Sequence, residues 1–421
     1  MNRALFFPRC YHILIALAVL SVPFTSILYF FITPLLLLCW IFEGDWQRKW
    51  SILKGKNILI ITCTFVLFWL INVIGLFYSN DLIRGIMRTY DKLPFLVYPL
   101  VFFTLDKNNF TKEKLIVLLK GFLCAATIML LICWGNALIQ YFATNKTHYF
   151  YYTQFSVFFG HPAYCTVIVT IAFFSAFFLF TKSTQTTRWL WGILSLFYGV
   201  SIYFLQMRSG IFAFLVILVL ALCFYLFNHK KQYRQTIIIF STVMIISVLL
   251  VKIFPNRVEK YVSTINDTEQ IDDNKFIEKV FGLRSEIWHI TLNLTMENKW
   301  LGIGTGYKND EILEEDELKT IHTYSSFINA HNQFLQIFLE HGIFGLIIIF
   351  FLIGYSFYYA IKTKNYLLLM LLITFCINMF FESMLERNRG IFAFSLFYGL
   401  FMLKNDIFAT VSKETLELEK S

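Results

Sequence analysis

Six arginines stand out by where they fall. Arg84, Arg88, Arg208, Arg284, Arg387 and Arg389, accompanied by Lys92 and Lys146, lie in polar stretches close to long apolar runs. A guanidinium is a planar fork that grips phosphate oxygens in pairs, whereas an ammonium acts as a point charge. Arginines gathered at one membrane face therefore point to a lipid-linked phosphate or diphosphate; the alternative is that each side chain merely snorkels to its own interface. Arg208 is the only charged residue between Trp189 and Phe227, in a break with Gln206, Ser209 and Gly210 that reads as the tip of a tight helical hairpin. Arg284 begins the run Arg284-Ser285-Glu286-Ile287-Trp288, Gly302-Ile303-Gly304-Thr305-Gly306 follows, and Asn329-Ala330-His331-Asn332 closes the polar segment. A hydroxyl that attacks must lose its proton, and histidine, which titrates near neutrality, is the usual base. His331 is the candidate for that role, with capping or packing as the alternative, and Glu286 is a possible helper.

Other polar residues divide between chemistry and structure. Asn332, Gln336 and Glu340 recur every four residues and so share one helix face; the stripe either lines an acceptor path or bonds neighbouring helices. The Gly-x-Gly-x-Gly run lacks the spacing and the Gly-Lys-Ser/Thr end of a phosphate loop, so it reads as turn geometry. His161-Pro162 lies within an apolar run and predicts a kink, with a role in binding a lipid diphosphate as the lesser alternative. There is no Asp-x-Asp pair, and the acidic run 314–317 reads as a solvated loop, so no metal and no cofactor is expected. The eight cysteines fall in or beside apolar stretches, which argues for packing rather than a disulfide framework or a zinc cluster.

The elements that must position these residues are membrane helices. Hydrophobic residues make up 57% of the 421, Phe occurs 49 times and mean hydropathy is +0.63, far from a soluble composition. Runs near twenty apolar residues suit helices crossing about 30 Å of hydrocarbon, and they do not alternate as barrel strands do. An all-α polytopic fold is predicted, with about 12 spans near 11–24, 27–42, 57–77, 94–105, 115–142, 154–181, 189–206, 210–228, 236–254, 333–359, 365–381 and 390–403. The stretch 81–92 is amphipathic enough to lie in the interface or re-enter. Every second loop is rich in Lys and Arg, which places the N-terminus inside and the large polar segment 255–331 outside. The net charge of +9 is thereby a topology signal that calls for no nucleic-acid partner.

Arg-Ser-Gly at an outer hairpin, Arg-x-x-x-Trp early in a large loop, Gly-x-Gly-x-Gly midway and His-Asn at a helix start together resemble the O-antigen ligase family. That family includes O-antigen polymerases and protein O-oligosaccharyltransferases. The resemblance covers 154–401 in pattern and the whole chain in topology, and the stretch Glu382-Ser383-Met384-Leu385-Glu386 shares it more loosely. It implies a multi-pass protein of the bacterial inner membrane with short helices in a periplasmic loop 255–331. N-terminal helices would occupy 1–153, a ligase-like catalytic region 154–403 and a cytoplasmic tail 404–421. It implies transfer of a glycan from undecaprenyl diphosphate to an acceptor hydroxyl such as lipid A-core, without a metal. Arg208 and Arg284 then match the arginines that hold the diphosphate and His331 the essential histidine, while Arg84, Arg88, Glu286, Asn332, Arg387 and Arg389 are secondary candidates. The alternatives are a polymerase joining lipid-linked repeats, as for O-antigen or exopolysaccharide, and a lipid-linked sugar transporter. For the latter, neither intramembrane charges in several spans nor internal repeats are evident.

Overall fold

The computed structural model describes residues 3–24, 27–106, 110–183, 185–228, 241, 283–307 and 329–403. All regular structure among them is helical. The helices are α1 (Arg3–Ser21), α2 (Ile27–Glu43), α3 (Trp46–Leu53), α4 (Lys56–Gly75), α5 (Leu82–Asp91), α6 (Pro94–Thr104), α7 (Lys112–Thr144), α8 (Tyr152–Phe155), α9 (Pro162–Lys182), α10 (Gln185–Leu205), α11 (Arg208–Asn228), α12 (Leu283–Glu297), α13 (Gln333–Lys362), α14 (Tyr366–Met379) and α15 (Asn388–Met402). A helix satisfies its backbone polar groups within the segment, as lipid requires.

The predicted apolar runs that fall among the described residues return as helices, most within a few residues; α1 begins already at Arg3 rather than near 11, and one run starts later than expected. The run expected at 154–181 becomes helical for its length only from Pro162. Before it the chain makes short turns at 147–150 and 152–155, and Gly160 adopts φ 83. His161 is consequently the N-cap of α9, with Pro162 at a first-turn position where its missing N–H costs nothing. The expected kink is absent because the histidine precedes the helix.

By length and apolar composition five of the described helices can cross a bilayer, or six if α2 and α3, bent by 111°, count as one span. About twelve were expected. Helices α6, α14 and α15 have 11, 14 and 15 residues, short of the ~20 that a straight crossing needs. The expected span 236–254, apart from residue 241, and the tail 404–421 lie outside the described residues, as does most of segment 255–331. Within that segment α12 is a short helix of the expected kind, and it packs on α13.

Helix α9 is the hub: 89% of its apolar stretch is buried, against 39% for α4. It packs on α7, α10, α11 and α14. Helix α13 runs antiparallel to α4, pinned by Tyr355 Oη donating to Asn57 Oδ1 at 2.8 Å and, toward the opposite end of α4, by His341 Nε2 donating to Asn72 Oδ1 at 3.0 Å. Consequently the start of α13 and the end of α4 share one end of the bundle. The turn between α14 and α15, residues 380–387, carries the carboxylates that meet side chains from this end.

Candidate active site

His331 is built into its place by backbone chemistry. It has φ 44, a left-handed conformation worth about 1–3 kcal/mol of strain for a non-glycine residue, which persists only where the surroundings over-determine it. The surroundings do so here. Ala330 N–H donates to Gln336 Oε1 at 3.0 Å and His331 N–H to Asn329 Oδ1 at 2.9 Å. Asn332 Oδ1 caps α13 by accepting from the N–H groups of Phe334 and Leu335. Trp288 Nε1 donates to Ala330 O at 2.7 Å. Arg284 stands one turn earlier on α12, so the Arg-x-x-x-Trp spacing puts the arginine and the tryptophan that holds the histidine's segment on one helix face.

These side chains meet at Glu382. His331 Nδ1 lies 3.0 Å from Glu382 Oε1, and Arg284 Nη2 lies 3.6 Å from Oε2. Glu382 is 5% exposed, while the His331 and Arg284 side chains are each 35% exposed. An ionised carboxylate only accepts, so Nδ1 carries the proton and the neutral ring presents its lone pair at Nε2, the arrangement a base requires. Burial pushes the Glu382 carboxyl up, but the His331 hydrogen bond and the charges of His331, His161 and Arg284 outweigh it and hold the group below its ordinary range. Oε2 has no hydrogen bond among the described residues and is held by Arg284 through charge at 3.6 Å. His161 faces the same carboxylate from the start of α9; burial draws its pKa down, and the charges of His331, Arg284 and Arg387 act in the same direction against Glu382.

A second, buried network braces this turn from inside. Lys92 Nζ lies 2.9 Å from Glu340 Oε2 and 3.0 Å from Glu386 Oε2. Burial disfavours its charge, yet the two carboxylates raise its pKa above the ordinary value. Arg88 reaches Glu340 Oε1 at 3.4 Å, donates to Thr305 O at 3.1 Å and lies 4.3 Å over the Tyr307 ring. Gln336 Nε2 donates to Glu340 Oε1 at 2.8 Å and to Tyr307 Oη at 2.6 Å. Gln333 Nε2 donates to Glu386 Oε1 at 2.9 Å while its oxygen accepts from Leu385 N–H. The polar stripe of α13 thus bonds neighbouring elements.

Between the two networks the chain 299–306 fills a gap in α13. At Gly342, φ 59 and ψ −156, the helix is broken. Ile303 and Gly304 N–H groups donate to Leu339 and Glu340 carbonyls at 2.9 and 3.0 Å, and Ile343 N–H donates to Lys299 O at 2.9 Å. Gly306 N–H donates to Ser79 Oγ at 2.8 Å. The glycines are there for shape: a Cβ on Gly302 would come within 2.5 Å of Glu340 C, and Gly304 has φ 91. With these N–H groups occupied, the run is a strap, as its turn reading implied.

The remaining candidates are dispersed around this frame. Arg208 is exposed at the first position of α11, after a hairpin turned by Gln206 at φ 48. Its neighbour Ser209 donates to Asn378 Oδ1 at 2.9 Å, and Asn378 O accepts from Glu382 N–H at 2.9 Å, which sets Arg208 beside the same turn. Arg387 is exposed at the N-cap of α15, and its charge acts on His161. Arg84 pairs with Asp81 at 3.8 Å and reaches Tyr307 O at 3.5 Å. Arg389 donates to Phe24 O at 2.9 Å, tying α15 to the end of α1. Asn332 serves as the cap, and the Glu286 side chain lies outside the described residues. Sequence reasoning did not assign Glu382 to the site, gave His161 a binding role only as the lesser alternative, and counted Lys92 only as one of the outer cations. The available signal was Glu382 and Glu386, two acidic residues four apart among apolar neighbours, since ionisable groups at membrane depth are costly unless used.

Fold and site together define a polytopic helical membrane protein with an ionised cluster at one end of its bundle. Residues 193–350 match the family described as O-antigen ligase, a stretch that holds Arg208, Arg284, the glycine strap and His331. Over this stretch the chain is similar to the O-antigen ligase family, a family of membrane glycosyltransferases of ligase and polymerase type that use lipid-linked glycans. Comparison with curated proteins gave no match.

Proposed function

We propose that this protein transfers a glycan from undecaprenyl diphosphate to an acceptor hydroxyl, such as one on lipid A-core, at the periplasmic face of the inner membrane. The observation that carries the reading is the convergence of His331 and Arg284 on the buried Glu382. His331 Nε2 takes the acceptor proton as the hydroxyl oxygen bonds to the anomeric carbon, and Glu382 stabilises the imidazolium that forms. The bond from that carbon to the diphosphate breaks, and its electron pair leaves with the diphosphate. Arg284 and Arg208 meet the charge that develops there, where fixed cations stabilise a transition state most effectively.

The test replaces His331→Ala and Arg284→Ala separately in cells that make long lipopolysaccharide. Both variants should stay in the membrane while O-antigen laddering disappears and long chains accumulate on undecaprenyl diphosphate. Unchanged laddering sinks the reading, and accumulation of single lipid-linked repeats assigns the chain to polymerisation.

A further inference from the structure

Two helices of this protein are two-faced in a way the bundle does not use. On α5, Leu82, Ile83, Ile86, Met87 and Tyr90 are 41–71% exposed. Their spacing puts them on one side, while Gly85 and Thr89 on the other side are buried and Arg88 and Lys92 engage the ion network. At 10 residues α5 is about 15 Å long and cannot cross a bilayer. On α3, Trp46 and Trp50 are exposed one turn apart, 52% and 57%, whereas Lys49 is buried and bound to Glu43 at 2.7 Å. The exposed Lys54 and Lys56 follow directly, and the 111° bend after α2 turns α3 away from the direction of that span.

What covers these faces follows from where they lie. Helix α4 joins them, with α3 before its first residue and α5 after its last, and its 20 residues are about 30 Å long, the thickness of the hydrocarbon layer. The limb of α13 beyond its break, 343–362, starts level with the end of α4, where a Cβ on Gly75 would meet His341 and Thr305, and runs back along α4 to Tyr355 beside Asn57 and beyond. Exposed tryptophans with flanking lysines are the composition of an interfacial anchor on an anionic leaflet. A short amphipathic helix with bare leucine, isoleucine and methionine suits the boundary of headgroups and acyl chains.

We propose that α3 and α5 lie in opposite interfaces of one bilayer, α3 on a leaflet with anionic headgroups and α5 at the headgroup–acyl boundary of the other. Because Lys92 at the end of α5 grips Glu386, one turn of chain from Glu382, the lipid contact of α5 fixes the depth of the His331 turn at headgroup level.

The experiment uses the full chain in two arms. With a photo-crosslinking residue in place of Ile83 or Trp50, in proteoliposomes of phosphatidylethanolamine and phosphatidylglycerol, mass spectrometry should find phospholipid adducts at both positions. Phosphatidylglycerol should be enriched at position 50 relative to its share of the bilayer. In the second arm, a membrane-impermeant maleimide should label Asn80→Cys but not Ser51→Cys above the unsubstituted background in right-side-out vesicles, and the reverse in inverted ones. Adducts joining two copies of the chain, absence of lipid adducts, or labelling of both cysteines from one side would overturn the proposal.

Discussion

Replacing Glu382→Gln isolates the carboxylate's charge from its shape. The amide keeps the volume in a site that is 5% exposed, so packing is preserved. It loses the charge that faces His331 Nδ1 at 3.0 Å and Arg284 at 3.6 Å. A hydrogen bond to a charged group contributes about 1.5–3 kcal/mol, which corresponds to a rate loss of about 10- to 150-fold. A further loss comes from the tautomer. If the amide turns its NH₂ toward Nδ1, the ring proton moves to Nε2 and the proposed base has no lone pair to offer, a change that costs about 10⁴ in a serine-protease triad. The expected decrease in single-turnover transfer, measured with labelled lipid-linked glycan in proteoliposomes, is therefore between about 10- and 10⁴-fold. The pH dependence has a definite sign. The folded Glu382 pKa is depressed, so its contribution to stability is present above the ordinary carboxyl range and is lost only as pH falls through the depressed value. The parent should keep this contact to lower pH than an unperturbed carboxyl would, and the variant should lack that acid transition. A Glu382→Gln protein within twofold of the parent rate and with the same acid profile would refute the reasoning.

Lys92→Met should be more damaging to stability than a surface change, because it takes from the buried Glu340 and the nearly buried Glu386 the lysine charge they share. Removing one partner of a buried pair costs about 3–5 kcal/mol, read as a lower melting temperature in detergent, and a further Glu386→Gln change should restore part of it. Gly304→Ala places a Cβ 2.7 Å from Ser79 Oγ and 2.8 Å from Gly75 O at φ 91. A loss of about 1–3 kcal/mol from the backbone conformation alone is expected, again as a drop in melting temperature. An unchanged transition would mean that the strap is not seated as described.

Helices were legible because each is a local matter of apolar composition and length, whereas the caps at Asn332 and His161 were read instead as part of a polar stripe and as a kink. The start of α9 was misjudged because tyrosines and phenylalanines continue the apolar run through 149–159, and composition does not register that Gly160 turns the chain there. Arg284 and His331 were legible as pieces of an ordered pattern, and the hairpin at Arg208 as a lone charge in an apolar stretch. Their meeting point was not. Glu382 is 51 residues from His331, and Glu340 is 248 from Lys92, whereas spacing rules see only neighbours three or four apart. The cations at 84, 88 and 92 looked alike in sequence, yet Arg88 and Lys92 are drawn inward by Glu340, while the Arg84 side chain is 40% exposed.

The break at Gly342 bears on how such proteins can be recombined. Helix α13 is completed by backbone from outside itself: the carbonyls of Leu339 and Glu340 and the N–H of Ile343 find partners in 299–304. A chimera that exchanges the polar segment as a cassette, with junctions just before α13, would separate these donors from their acceptors at a depth where water is scarce. The natural unit of exchange runs from before α12 through the end of α13. It should travel with the matching ends of α4 and α5, since Gly75, Ser79 and Asp81 hold the other edge of the same strap.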